Sequence, residues 1–316
     1  MTGGRTVPGG DSWSLDEWKA AYSRFLDGSR RDAVDDGNRG YAAAETSGPA
    51  GASGISETGS AARGEACTPA AGSKAACAGL DSTMTFDTFV PCTANRFART
   101  AALALAEGPC GMFSPLCVYG SSGLGKTHLL QAAGNQMLSR NPDTRVRYVT
   151  GRRLAAEVAD RGETAALQQY DSCDLLLVDG LQDMCGHEEA QHMLMGLMCS
   201  SPVIISSDTM PGRLTGLDPR LRSRLDAGLT VVVGMPDYGS RLAIARMMAH
   251  NAGYRLTDDV LDVIARHCHR SVREMKTGLA CIIEYARING GTIDERAAES
   301  FMTQPRFAMM QMGGAA

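Results

Sequence analysis

The octapeptide Gly120-Ser121-Ser122-Gly123-Leu124-Gly125-Lys126-Thr127 narrows what this chain can fold into more than any other feature, because it satisfies the pattern G-x-x-x-x-G-K-[ST] in full. It follows an apolar run, Leu116 to Tyr119, and precedes a helical pattern. In that context the residues have a mechanism. Glycines let backbone N–H groups close around phosphate oxygens, and the helix behind the loop points its positive end at them. Lys126 then reaches the β- and γ-phosphates, and the Thr127 hydroxyl ligates Mg²⁺. A Gly-rich turn ahead of a helix would account for the glycines but not for a Lys-Thr pair at the fixed end of the loop. The motif therefore predicts a nucleoside triphosphate site.

From Phe86 onward, five β-branched or aliphatic runs alternate with helical patterns: Leu116–Tyr119, Val146–Thr150, Asp174–Asp179, Val203–Ser207 and Leu229–Val233. Near-continuous apolar strands separated by helices predict an α/β fold, a doubly wound parallel five-stranded sheet of the P-loop NTPase kind, covered on both faces. After Met235-Pro236-Asp237 no strand pattern remains. Helices are predicted at about 239–252, at 258–268 behind Thr257, at 272–288 behind the capping box Ser271-x-x-Glu274, and at 293–303 behind Thr292-x-x-Glu295. The expected organisation is thus a nucleotide-binding α/β domain over 83–236, a smaller C-terminal helical lid over 237–304, and a frayed tail over 305–316.

Residues 1 to about 82 are rich in Gly, Ala, Ser, Thr and charge, too poor in aliphatics to offset the cost of ordering a backbone. Most of this segment is expected to be disordered. Within it, Ser14-Leu15-Asp16-Glu17 forms a capping-box pattern, and Trp18, Tyr22 and Phe25 fall on one helical face. One short amphipathic helix follows, either a docking element or a transient helix in a tail.

The net charge of -4 across 316 residues argues against a strongly basic nucleic-acid surface. The ten cysteines include no C-x-x-C pair, which fits reduced thiols in a cytoplasmic protein. His267-Cys268-His269 has the look of a metal tract, but consecutive helical residues point apart and no second ligand pair stands at zinc spacing. With no apolar leader and no bilayer-length apolar run, neither secretion nor membrane insertion is expected.

Other residues complete the phosphate site. Asp179 ends a hydrophobic strand and is placed to hold Mg²⁺ through water. Ser206-Ser207-Asp208 ends the next strand at the carboxyl edge of the sheet, where a side chain can sense the γ-phosphate; a simple polar turn is the alternative. Arg220 and Arg224 share one face of a short helical stretch, able to offer a guanidinium to a neighbouring subunit. Arg273 falls in a first helical turn, where a cation opposes the dipole unless an anion such as phosphate compensates it. For each arginine the alternative is a solvated surface side chain.

From Phe86 to about Met302 the chain resembles the AAA+ ATPase core of the bacterial chromosomal replication initiator, the DnaA family. The residues that carry the resemblance are Phe86-Asp87-Thr88-Phe89-Val90 with Asn95-Arg96-Phe97-Ala98, and Pro115-Leu116 leading into Gly-Lys-Thr-His-Leu-Leu at 125–130. Asp174 to Gln182, Ile205 to Asp208, Arg220 to Arg224 and Val272-Arg273-Glu274 add to it. The resemblance implies ATP and ADP as ligands, with Mg²⁺. It places Gly120 and the run Ser122 to His128 around the phosphates, Val90 and Asn95 beside the adenine, and Asp208 at the first sensor position. It further makes Arg220 the finger offered to the next protomer and Arg273 the second sensor.

Three departures from the family shape the functional expectation. Gly180 stands where the family has a second acid after the strand-end aspartate, and that acid orients the attacking water; ATP binding with slow turnover is expected, with Asp183 a substitute in doubtful geometry. The chain stops where the family's helix-turn-helix domain begins, so sequence-specific duplex binding is not expected. Gly186-His187-Glu188-Glu189 replaces basic residues that hold single-stranded DNA, so that binding is expected to be weak, although Arg147, Arg152 and Arg153 leave room for backbone contact. The expected role is an ATP-binding switch in DNA replication initiation or its regulation, working through self-association or an initiator protomer. A helicase-loading ATPase and a decayed initiator fragment are the alternatives, with replicative helicase or sliding clamp as further partners to test.

Overall fold

A computed structural model of the protein describes residues 78–108, 113–171, 173–288 and 292–303. The amphipathic pattern at Ser14 to Phe25 and the tail Met309 to Ala316 lie outside the described residues.

In chain order the elements are α1 (Arg96–Glu107), β1 (Leu116–Tyr119), α2 (Lys126–Arg140), β2 (Val146–Thr150), α3 (Gly151–Arg161), α4 (Glu163–Tyr170) and β3 (Leu175–Asp179). A short 3₁₀ turn, Leu181–Met184, leads to α5 (Glu188–Ser200), β4 (Val203–Ser207), α6 (Pro219–Asp226) and β5 (Leu229–Val232). Four helices close the described chain: α7 (Tyr238–Asn251), α8 (Asp258–His267), α9 (Val272–Ile288) and α10 (Glu295–Met302).

The five strands are parallel in the order β2-β3-β4-β1-β5, as expected for runs that are apolar on both faces. Alternation along β3 sorts its side chains: Leu175 and Leu177 join the core under α1 and α2, while Leu176 and Val178 join the core under α3, α5 and α6. Cys117 lies in the centre of the sheet, where burial pushes its thiol up to about 12 and leaves it a small apolar group. A third core fills the space between α7, α8, α9 and α10. Among the described residues, no helix is long and apolar enough to cross a membrane.

Two sequence expectations are corrected. The packed body reaches back before 83, because Ala78 and Leu80 are buried against α2. One face of α2 is built to receive this strap. Gln131 Oε1 accepts from the Asp81 N–H at 2.7 Å, Asn135 Nδ2 donates to the Asp81 and Met84 carbonyls at 2.8 Å each, and His128 Nε2 lies 2.9 Å from the Thr85 carbonyl. Gly134 lets the strap sit close, since a Cβ there would meet Leu80 Cδ1 and Leu177 Cδ1, each at 2.9 Å. The other correction concerns α10, which is capped by Asp294, whose Oδ1 accepts from the Ala297 N–H at 2.8 Å, and not by Thr292. The Thr-x-x-Glu spacing matched the motif, but the helix begins at Glu295, so the aspartate directly ahead of it meets the free N–H groups.

The strap yields two predictions. Leu80→Ala should lower stability by about 2–4 kcal/mol, read from the urea midpoint, because it empties a packed site. Burial holds the His128 imidazole below its ordinary value, against the Thr85 carbonyl, which favours the charged ring. The unfolded ring therefore binds a proton more readily than the folded one, so the contribution of the neutral ring is whole above about pH 6.5 and is lost as pH falls below it. A His128→Asn variant should be less stable at neutral pH and show a flatter stability profile from about pH 6.5 downward.

Candidate functional site

The phosphate loop leaves β1 at the point where the sheet order reverses, between β4 on one side and β5 on the other. In open α/β sheets that crevice, at the carboxyl ends of the strands, is where ligands bind. Gly125 adopts φ 94° directly ahead of α2, and no side chain caps the first N–H groups of that helix. The loop thus faces an open helix N-terminus. Leu124 is buried in the core and anchors the loop from below. Gly120 passes so close to β5 that a Cβ there would fall 2.2 Å from the Val233 carbonyl oxygen.

The side chain of Lys126 is drawn back into this loop. Its Nζ donates to the Gly120 carbonyl at 2.6 Å, the Ser121 carbonyl at 2.9 Å and Asp208 Oδ1 at 2.8 Å. Asp208 is in turn fixed by its own N–H, which donates to Gln182 Oε1 at 3.1 Å. Asp179 has three hydroxyl donors: Thr127 Oγ1 at 2.7 Å and Tyr148 at 2.9 Å on one carboxylate oxygen, and Ser206 Oγ on the other. Burial and the Asp179 charge push the Tyr148 hydroxyl well up, so it remains a donor.

The lid touches the loop directly. Arg273 Nη1 donates to Ser122 Oγ at 3.2 Å, and the Arg273 N–H donates to the Gly123 carbonyl at 3.1 Å. A Cβ on Gly123 would meet the Cβ atoms of Ser271 and Arg273, both at 3.0 Å. The predicted cap at Ser271 forms, with Ser271 Oγ accepting from the Glu274 N–H at 3.0 Å, while Glu274 Oε2 accepts from the Arg270 N–H at 2.7 Å. The N-termini of α2 and α9 therefore converge on one loop, a favourable field for anions. A cleft of about 470 Å³ opens beside it, lined among others by Ser121, Asp208, Arg213, Met235 and Arg270.

The remaining predicted residues fall in two other places. Asn95 is buried and braces the turn ahead of α1, accepting from the Cys92 N–H at 2.8 Å and donating to the Val90 carbonyl at 3.0 Å. Val90 packs on the lid core and Phe89 lies against Gly125, so this turn borders both the loop and the lid. The His128 ring is turned away to the strap, T-shaped against Phe89 with centroids 5.3 Å apart. Arg220 sits apart from all of these. It is exposed on α6 and borders a cleft of about 660 Å³ shared with Pro115, at the amino end of β1. In the same run Arg222 and Arg224 donate to the carbonyls of Leu214 and Met198 at 3.0 and 3.3 Å.

Sequence reasoning missed Tyr148, Gln182, Arg213 and Arg270. Tyr148 and Gln182 reach the site through the register of β2 on β3 and through the turn after β3; nothing in its local pattern marks Tyr148, and Gln182, although within the stretch Asp174 to Gln182 that carries the resemblance, had no role assigned.

Residues 80–232 match the family described as the bacterial DnaA ATPase domain. The chromosomal replication initiator protein DnaA of Herminiimonas arsenicoxydans is 38% identical over 68% of this chain and 48% of its own length. The chain thus spans about half the length of the curated relatives it matches. Domain III of the Thermotoga maritima replication initiation protein DnaA superposes with a TM-score of 0.67 at 30% identity, covering 71% of this chain and 99% of that structure. A replication initiator DnaA bound to AMPPCP and single-stranded DNA superposes at 0.61 with 26% identity, covering 75% of this chain and 73% of the other. With its parallel sheet, phosphate loop and helical lid in the AAA+ arrangement, the chain belongs to the bacterial DnaA family through that ATPase domain.

Proposed function

We propose that the protein is an ATP-binding AAA+ switch acting in DNA replication initiation or its regulation, exchanging ATP-driven assembly for an ADP-bound state through slow hydrolysis. The observation that carries this reading is the convergence of Lys126, Asp208, Arg273 and two helix N-termini on the loop Gly120 to Thr127. A triphosphate placed there meets the Lys126 ammonium and the Arg273 guanidinium together. The DnaA structure that holds AMPPCP supports ATP as the ligand.

The donor set also fits Mg²⁺, because the Thr127 hydroxyl and an Asp179 carboxylate oxygen lie 2.7 Å apart, both hard oxygens. Thr127 and Asp179 would hold the ion, which would supply positive charge to offset that of the phosphates. Tyr148 and Ser206 hold the Asp179 carboxylate in orientation. Val90 and Asn95 border the base from the turn that joins the loop to the lid.

Arg220 reports the nucleotide of an adjoining protomer. Its place at the amino end of β1, about 13 Å of strand away from its own loop, keeps it from its own phosphates. Single-stranded DNA is a weaker partner, because Glu188 and Glu189 form the exposed first turn of α5 and add repulsion towards a phosphate backbone. Gly180 leaves the position directly after Asp179 without the carboxylate that the family uses there to orient water, and turnover is slow for that reason.

Two outcomes are expected. Labelled ATP and ADP should bind saturably, and Lys126→Ala should weaken ATP binding by about 100-fold or more; uptake indifferent to the lysine defeats the reading. In light scattering, a non-hydrolysable ATP analogue should drive assembly that ADP does not support. Arg220→Ala should abolish that assembly while leaving ATP affinity within about twofold, and ATP-driven assembly that survives the change removes Arg220 from the interface.

A further inference from the structure

We propose that Asp183 supplies, from the 3₁₀ turn behind β3, the water-orienting carboxylate that the glycine at position 180 cannot. This rests on the ATP reading above and adds a residue to it. Gly180 adopts φ 90°, a left-handed conformation, and an ideal Cβ built there would stand 3.2 Å from Asp183 Oδ2 and 3.7 Å from its Cγ. The Asp183 carboxylate therefore fills the space into which a side chain at 180 would project. An acid at 180 and, with glycine there, an aspartate at 183 are alternative ways of placing one carboxylate beside the end of β3.

The turn that carries Asp183 is held on several sides. Its N–H donates to the Gly180 carbonyl at 3.1 Å, and the flanking Leu181 and Met184 are fully buried. Between them, Gln182 takes the Asp208 N–H at 3.1 Å and so ties the turn to the group that binds Lys126. The Gly180 N–H donates to Ser206 Oγ at 2.8 Å, and Ser206 also bonds Asp179. Gly151 packs so closely that a Cβ on it would fall 2.2 Å from the Gly180 carbonyl oxygen, which fixes the backbone from the other side. Among the described residues no donor engages the Asp183 carboxylate, which is half-buried. A rigid turn thus holds an uncommitted acceptor beside Gly180, the residue that follows Asp179.

In the step this serves, the water oxygen forms a bond to the γ-phosphorus as the bond from that phosphorus to the β,γ-bridging oxygen breaks. The electron pair of the broken bond stays with ADP. One water hydrogen is held by Asp183 during attack, and that proton leaves to solvent as inorganic phosphate forms. Orienting groups of this kind typically contribute about 100-fold or more.

The test is single-turnover phosphate release from the 316-residue chain loaded with γ-labelled ATP, run beside ATP affinity and thermal melting. Asp183→Asn should slow release by about 100-fold with ATP affinity within about twofold and the melting temperature unchanged, and Asp183→Glu should restore a measurable part of the rate. Wild-type rates in Asp183→Asn, or a wild type that binds ATP and releases no phosphate, overturn the assignment and leave the nucleotide reading standing. Failure of the wild type to bind ATP removes both.

Discussion

Lys126 is 7% exposed, and a cation withdrawn from water must be met by anions or by carbonyl dipoles. It is met by two carbonyls of its own loop and by a carboxylate from the end of β4. These three contacts set the curvature of the loop and tie the exit of β1 to the exit of β4. They require β1 and β4 to be neighbours, which follows from a crossover in which α2 carries the chain from the middle of the sheet to its far edge at β2. The sheet order is therefore a condition of the cation site, and the lid adds Arg273 to a loop already shaped by the strands.

Asp179 shows the same economy with the opposite charge. Three hydroxyls converge on its two oxygens, and each comes from a different element: Thr127 from α2, Tyr148 from β2 and Ser206 from β4. The carboxylate is oriented by groups that the rest of the fold has placed, as outer-shell partners orient metal-binding ligands generally. Ser206 also takes the Gly180 N–H, so the direction in which the chain turns after β3 is coupled to the direction in which Asp179 points.

How much of this was legible depends on the range of the interaction. The strands could be read because their apolar residues form short runs broken by few polar positions: Leu116–Tyr119, Val146–Thr150 and Val203–Ser207 agree with the structure at both ends. The phosphate loop could be read because its chemistry is compressed into eight consecutive residues. The strap at Ala78 and Leu80 could not, since an alanine and a leucine in a Gly- and Ala-rich stretch carry no period, and their burial is decided by the receiving face of α2. Tyr148 was hidden in the same way. It occupies an ordinary strand position, and only the pairing of β2 on β3 brings its hydroxyl to Asp179. The place of Asp183 needed the backbone dihedral of Gly180, a quantity with no signature beyond the glycine itself.

The two arginines assigned to nucleotide sensing lie at opposite ends of the sheet, and that separation bounds what the switch can do. Arg273 touches the loop of its own chain, whereas Arg220 borders a cleft at the amino end of β1. Under the proposed function, a second loop must be presented to Arg220 before both guanidinium groups meet nucleotide. On that reading, the part of the assembly response carried by Arg220 is the difference between what it gains from ATP and from ADP. Couplings of this kind are typically about 1–3 kcal/mol, or roughly 5- to 150-fold in affinity. A single interface therefore gives a graded response, and a sharp switch requires several such interfaces in series along an assembly.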